Sequence, residues 1–214
     1  MKLDKLLTLL TDYKTSKELL RFRFVGYLWD SGWVRSVQQQ KPVDRDGHPV
    51  PWVTLPFIHF IEKRLESSLT MFEFGSGYST RYFSTHVKSI ISVENDRGWF
   101  EKMSADSAVN VKILFHPVDD TENYERSIIA TGKQFDIVFV DGRRRVNCIK
   151  NSVGQLTNRG IVILDDSERD EYRSGVTYLK QSGFRLLDFW GVAPGMLDRK
   201  CTSVFYRDNN CLGI

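Results

Sequence analysis

Apolar positions follow two rhythms along the chain, and the rhythm changes near residue 69. Before that point Leu3, Leu6, Leu7 and Leu10 recur at helical spacing, and Leu19, Leu20, Phe24, Tyr27 and Leu28 do so again, which predicts two short amphipathic helices. Residues 41–51 are dense in Pro, Asp and Gly and predict a loop. Residues 57–65 read as a helix begun near Pro56 with one apolar face, because proline suits a first helical turn. Beyond residue 69 apolar runs alternate with helix-like stretches, and strands are predicted over 71–74, 89–93, 111–115, 135–140, 160–164, 184–189 and 202–206. Ile137-Val-Phe-Val140 and Ile161-Val-Ile-Leu164 are apolar on both faces, as parallel strands covered by helices on both sides must be. The alternation predicts an α/β fold with a doubly wound, mostly parallel seven-stranded sheet, preceded by N-terminal helices. Gly191, Pro194 and Gly195 leave no room for a helix between the last two strands, so the final strand is expected to be antiparallel.

Composition narrows the class. At about 150 residues per domain, 214 residues predict one domain with added elements. Fractions of 41% hydrophobic and 27% charged residues exclude a collagenous, low-complexity or wholly disordered chain. A net charge of +3 does not argue for nucleic acid, which is bound by clustered Lys and Arg. Cys148, Cys201 and Cys211 are odd in number and lack metal-ligand spacing, which predicts free thiols in a reducing cytoplasm. The leucines of the first 14 residues are interrupted by Asp4, Lys5 and Asp12, unlike a signal peptide. The longest uncharged run, residues 48–61, is proline-rich and too short to span a bilayer, so a cytoplasmic protein without a membrane span is expected.

In an open α/β sheet, ligands bind beyond the carboxyl ends of the strands. Carboxylates stand there after each of the first five predicted strands: Glu73, then Glu94 and Asp96, Asp119 and Asp120, Asp141, and Asp165 with Asp166. The turn Glu73-Phe-Gly-Ser-Gly-Tyr-Ser-Thr80 lets backbone approach a ligand, but Thr80 replaces the third small residue of a dinucleotide fingerprint. Glu73 also opposes a pyrophosphate: like charges about 4 Å apart cost roughly 4 kcal/mol at an effective dielectric near 20. The same arithmetic favours a cationic nucleoside such as S-adenosylmethionine. Glu94 is placed to accept from ribose hydroxyls, and Asp119 or Asp120 to reach the adenine edge.

Phe72-Glu-Phe-Gly-Ser-Gly-Tyr-Ser79, Ile91-Ser-Val-Glu-Asn95, Phe135-Asp-Ile-Val-Phe-Val-Asp-Gly142 and Arg159-Gly-Ile-Val-Ile-Leu-Asp-Asp166 resemble the successive motifs of class I S-adenosylmethionine-dependent methyltransferases. The resemblance covers roughly residues 69–206, and Pro49-Val-Pro-Trp-Val-Thr-Leu-Pro56 is similar to the segment leading into the sheet in bacterial members. It implies a Rossmann-like methyltransferase fold, with a helical extension or lid at 1–68 and a cofactor-binding domain at 69–214. It implies that Glu73, Gly75 and Gly77, with Ser76 and Ser79, hold the methionine part, Glu94 and Asn95 the ribose, and Asp119 or Asp120 the adenine. Asp141 would face the methyl group and orient or deprotonate the acceptor, with Asp165 and Asp166 next to it.

In the metal-dependent catechol-type members an acid after the fourth strand and an Asp-Asn pair after the fifth hold magnesium. Here Asp165-Asp166 replaces that pair, so the preferred reading has no metal, and a capping role for one Asp competes with a divalent ion. Arg143, Arg144 and Arg145 suit an anionic acceptor or, equally, surface ion pairs. Trp29, Trp33 and Trp52 are expected to pack the added helices in preference to lining a pocket, and His59 to be a packed or solvent-facing side chain in preference to a base. The acceptor is expected to be a small molecule or saccharide methylated on oxygen or nitrogen. Nucleic acid is not expected, since no Asn-Pro-Pro-Tyr-type motif or basic domain is present. The competing readings are a nicotinamide-dependent oxidoreductase and a non-catalytic nucleoside-binding protein of the same fold.

Overall fold

A computed structural model of the chain describes residues 11–119 and 121–214. The predicted helix of Leu3, Leu6, Leu7 and Leu10 lies outside the described residues. The second predicted helix divides in two, α1 at Tyr13–Arg21 and α2 at Tyr27–Asp30, because Gly26 breaks the run with φ of 87°. A helix that periodicity does not reveal, α3 at Trp33–Gln39, follows a left-handed Gly32. Its inward position is polar: Ser36 is buried and exchanges two hydrogen bonds with the backbone of Val43, at 2.9 and 3.0 Å. The predicted loop closes on Asp44, whose Oδ1 accepts from the backbone N–H groups of Asp46, Gly47 and His48. Helix α4, Leu55–Glu62, carries its proline in the first turn.

The remaining elements alternate: β1 Thr70–Phe74, α5 Tyr78–Ser84, β2 Ser89–Glu94, α6 Arg97–Ala105, β3 Val111–Phe115, α7 Asn123–Ala130, β4 Phe135–Val140, α8 Arg145–Ser152, β5 Leu156–Asp165, α9 Arg173–Gln181, β6 Arg185–Gly191 and β7 Lys200–Tyr206. They form one seven-stranded sheet of order β3-β2-β1-β4-β5-β7-β6, parallel except for β7, which runs antiparallel to both β5 and β6. Strand β5 starts earlier than its apolar run, because Leu156 pairs with Phe135 ahead of a register shift.

Alternate residues of the central strands feed two cores. Met71, Ile137, Phe139, Ile161 and Ile163 pack with Phe57, Ile58 and Ile61 of α4 and Phe83 of α5. Phe72, Phe74, Val138, Val140, Val162 and Leu164 pack with Tyr124 and Ile128 of α7, Ile149 of α8 and Leu179 of α9. Residues 50–61 thus share a core with the sheet, and burying each such large apolar side chain contributes about 1.5–3 kcal/mol. The N-terminal segment also grips the β6–β7 connection: Trp33 Nε1 donates to Met196 O at 2.6 Å, Trp52 Nε1 to Pro194 O at 3.0 Å, and Leu55 N to Val192 O at 2.9 Å.

Candidate functional site

Strand order reverses between β1 and β4, so their following loops diverge and open a crevice at the carboxyl ends. The two loops meet backbone to backbone. Gly75 has φ of 97°, and a side chain on Gly142 would collide with the Tyr124 hydroxyl and come within 3.0 Å of Gly75 N. Gly77 plays a different part from Gly75: its backbone is extended, and it sits under the Trp99 ring.

Glu73 is buried beneath this turn. Ser79 donates to its Oε1, while Thr80 and Ser92 donate to its Oε2 at 2.6 Å each. Thr80 Oγ1 also accepts from Gly77 N at 2.9 Å, so the residue that breaks the dinucleotide fingerprint ties the glycine turn to the acid. Burial raises the Glu73 carboxyl to about 7, against the lowering effect of the three hydroxyls.

Glu94 ends β2, and the two turns around it orient its carboxylate at the cleft. Ser76 N and Oγ reach its Oε2 at 3.1 and 2.9 Å, and the N–H groups of Asn95 and Asp96 reach Oε1 at 2.8 and 2.9 Å. Trp99 Nε1 donates to Ser76 O at 2.6 Å and pins the loop.

Among the predicted residues, Glu73, Gly75, Ser76, Ser79, Glu94, Asn95 and Asp141 line one polar cleft of about 240 Å³. Asp119 is absent from its lining. It is exposed and is occupied by the turn into α7, where hydrogen bonds from Thr121 hold its carboxyl below the usual value. Asp120 lies outside the described residues.

Behind the cleft, carboxylate oxygens of Asp141, Asp165 and Asp166 lie within 4.8 Å of one another. Three cations meet them. Lys200 Nζ contacts Asp165 Oδ2 at 2.5 Å, Asp166 Oδ1 at 2.7 Å and Trp52 O at 3.4 Å. Arg145 donates to Asp141 Oδ1 at 2.9 Å and lies 3.4 Å from Asp166 Oδ2, while Arg169 reaches that same oxygen at 2.7 Å. Thr202 Oγ1 completes Asp165 at 2.7 Å. The donor set has the hard oxygens a divalent ion requires, but the ammonium of Lys200 and the guanidinium of Arg145 already satisfy them. These residues do not fit a metal unless Lys200 is displaced.

The electrostatics follow from this packing. Burial, with the charge of Asp165 added, raises Asp141 to about 8 despite Arg145. Burial likewise raises Asp165 against the pull of Lys200. Burial alone would lower Lys200, but the two carboxylates outweigh it and raise it.

Asp165 and Asp166, expected to act on the acceptor, are 1% and 6% exposed and absent from the cleft lining. Their oxygens are engaged by Lys200, Thr202, Arg145 and Arg169. Asp141 alone of the three lines the cleft. The arginine run separates in the same way. Arg145 is buried in the cluster, Arg144 pairs with Glu125 at 2.9 Å, and Arg143 is exposed. His59 is an exposed helix-surface residue near the Tyr27 ring.

Sequence reading missed Lys200 and Arg169. The antiparallel direction of β7 was the usable signal for Lys200: pairing Thr202 with Asp165 brings the start of β7 to the carboxyl end of β5.

No protein-family model and no curated protein sequence matches the chain. Solved structures do. Precorrin-6y C5,15-methyltransferase from Geobacter metallireducens GS-15 superposes with a TM-score of 0.55 at 15% identity, over 70% of this chain and 86% of that one. A methyltransferase-like protein from Silicibacter pomeroyi DSS-3 gives 0.52 at 24%, over 75% and 90%. An rRNA methylase from Streptococcus thermophilus gives 0.52 at 12%, over 72% and 97%. The chain therefore has the Rossmann-like fold of class I methyltransferases.

Proposed function

We propose that the chain is an S-adenosylmethionine-dependent methyltransferase acting on oxygen or nitrogen of a small molecule or saccharide. The observation that carries the reading is the polar cleft at the strand-order reversal, where Glu94 and Asp141 converge across the Gly75 turn. Its residues fit the cofactor. Acceptors at the end of β2 suit ribose hydroxyls, the close backbone approach at Gly75 admits a ligand, and the carboxylates suit a cation. Gly75, Ser76, Ser79, Glu94 and Asn95 would hold it, with Glu73 shaping the turn from beneath.

When bound, S-adenosylmethionine supplies an electrophilic methyl group. The chain's own work is orientation and proton removal. Holding acceptor and methyl in line is worth roughly 7–11 kcal/mol. Asp141, raised to about 8, is matched to take the proton from an acceptor hydroxyl or amine near neutral pH. Arg145 holds the Asp141 carboxylate in place through Oδ1. Asp141 would take the acceptor's proton, and the bound cofactor would supply only the electrophilic methyl group. Of the N-terminal segment, residues 11–68 would serve as a wall on the acceptor side, supported by the tryptophan contacts to the β6–β7 connection.

No helix among the described residues is long and apolar enough to cross a membrane. The three buried free thiols support a cytoplasmic location.

Calorimetric titration tests the reading. S-adenosylhomocysteine should bind, Glu94→Ala should weaken it by about tenfold or more, and NAD should not compete. Binding of NAD without binding of S-adenosylmethionine or its product would reverse the conclusion in favour of an oxidoreductase. Binding without turnover on any acceptor would favour a non-catalytic nucleoside-binding protein.

A further inference from the structure

We infer that the acceptor is a small molecule bearing a phosphate group, received in an arginine-lined cavity beside the proposed cofactor cleft. The inference rests on the methyl-transfer reading for the word acceptor, but the anion site stands on its own geometry. A cavity of about 520 Å³ opens between the segment after β4, Gly142 to Asn147, and the segment after β5, which contributes Arg169, Glu171 and Tyr172. The cofactor cleft lies over β1, β2 and β4, and the two spaces share Gly142, Arg143 and Arg145 as a common wall. The larger space thus lies between the segments after β4 and β5, next to the cleft that Asp141 lines.

The charge of the cavity is uneven. Arg145 is neutralised by Asp141 and Asp166, and Arg144 has Glu125. Arg143 enters the cavity wall with its guanidinium in no ion pair or hydrogen bond among the described residues. Arg169 gives one nitrogen to Asp166 and keeps its side chain 51% exposed. Against these stands Glu171, the one carboxylate in the lining. Two guanidinium forks from separate segments suit a tetrahedral dianion better than a planar monoanion, because each fork can engage two phosphate oxygens. Arg145 places its guanidinium carbon 5.1 Å from the Tyr172 ring centroid, a contact that holds in position a ring lining the same cavity.

The test uses the full chain saturated with S-adenosylhomocysteine, titrated with inorganic phosphate and, separately, with acetate at constant ionic strength. Phosphate should bind saturably and more tightly than acetate. Arg143→Ala and Arg169→Ala should each weaken phosphate by about tenfold or more, while Lys133→Ala, a remote surface change, should leave it unchanged. Arg143→Glu, at an exposed position where folding is not at stake, should abolish phosphate binding. The inference is overturned if phosphate binds equally to wild type and both alanine variants, or does not saturate. It is also overturned if a short single-stranded RNA binds more tightly than phosphate through the same arginines, which would make the cavity part of a nucleic-acid surface. The two readings fail separately. Loss of S-adenosylhomocysteine binding with phosphate binding retained removes methyl transfer and keeps the anion site. The opposite pattern removes the anion site and keeps methyl transfer.

Discussion

Lys200 reaches Asp165 from a strand that runs antiparallel beside it, and the same ammonium also binds Asp166 and the carbonyl of Trp52. One side chain thereby joins the ends of β5 and β7 and the N-terminal segment behind the cleft. Removing it strands two buried carboxylates. Breaking a buried pair by deleting one partner costs about 3–5 kcal/mol, so Lys200→Met should lower the stability measured by urea denaturation by that amount. Lys200→Arg should lose much less. Equal losses for both variants would mean that the side chain's shape, not its charge, holds the cluster.

The same cluster sets the response to metal. Because Lys200 and Arg145 already satisfy the three aspartates, chelation by EDTA should leave methyl transfer and thermal stability of the wild type unchanged. Lys200→Ala vacates the position, and magnesium should then raise the variant's melting temperature but not the wild type's, since ligand binding to the native state stabilises by mass action. Inactivation of the wild type by EDTA, reversed by magnesium, would show that the ion displaces Lys200 in solution.

Much of the sheet was legible because buried parallel strands must be apolar on both faces, a constraint that Ile137 to Val140 and Ile161 to Leu164 satisfy over their whole length. Helix α3 was not legible, since its buried position is Ser36, satisfied by Val43 of the following loop. For the site, position along the chain located Glu73, Glu94 and Asp141 at the cleft but could not say which acids face it. Asp165 and Asp166 look equivalent to Asp141 in sequence. They differ because Lys200, 35 residues beyond Asp165, takes their lone pairs, a pairing that depends on sheet register and not on local pattern.

Close backbone approach at the crevice makes Gly142 sensitive. A methyl group there meets the Tyr124 hydroxyl, which itself accepts from Arg143 N at 3.3 Å, and Gly75 N lies 3.0 Å away. Gly142→Ala should cost about 1–3 kcal/mol as overpacking and weaken S-adenosylhomocysteine. Tyr124→Phe in the same chain should recover part of the stability, because it removes the nearest obstructing atom but not the backbone one. Full recovery would mean that the Gly75 contact is immaterial.

Asp141 sets the expected rate profile. With its carboxyl raised to about 8, the base form grows as pH rises through that value, so kcat/KM should climb from pH 6 and level off above about 8. Asp141→Asn should lower kcat by about 10²–10⁴ and remove the limb. A variant that retains the limb would assign the proton to another group.

Glu73 carries a stability signature of the opposite slope. Its carboxyl stands at about 7 in the folded chain against an ordinary 4.5, so between those values the native state binds more protons than the unfolded state. Stability must then fall as pH rises across this window and lie flat above it, with a loss of about 3 kcal/mol at about 1.4 kcal/mol per pH unit. The cause is burial that the hydroxyls of Ser79, Thr80 and Ser92 only partly offset. Glu73→Gln removes the charge while leaving an acceptor for those hydroxyls. Urea denaturation of the variant between pH 5 and 8 should lack Glu73's share of the decline, so the difference between wild type and variant should change by about 3 kcal/mol across the window. A constant difference across that range would mean that Glu73 is already ionised at pH 5, and that the three hydroxyl donors outweigh its burial.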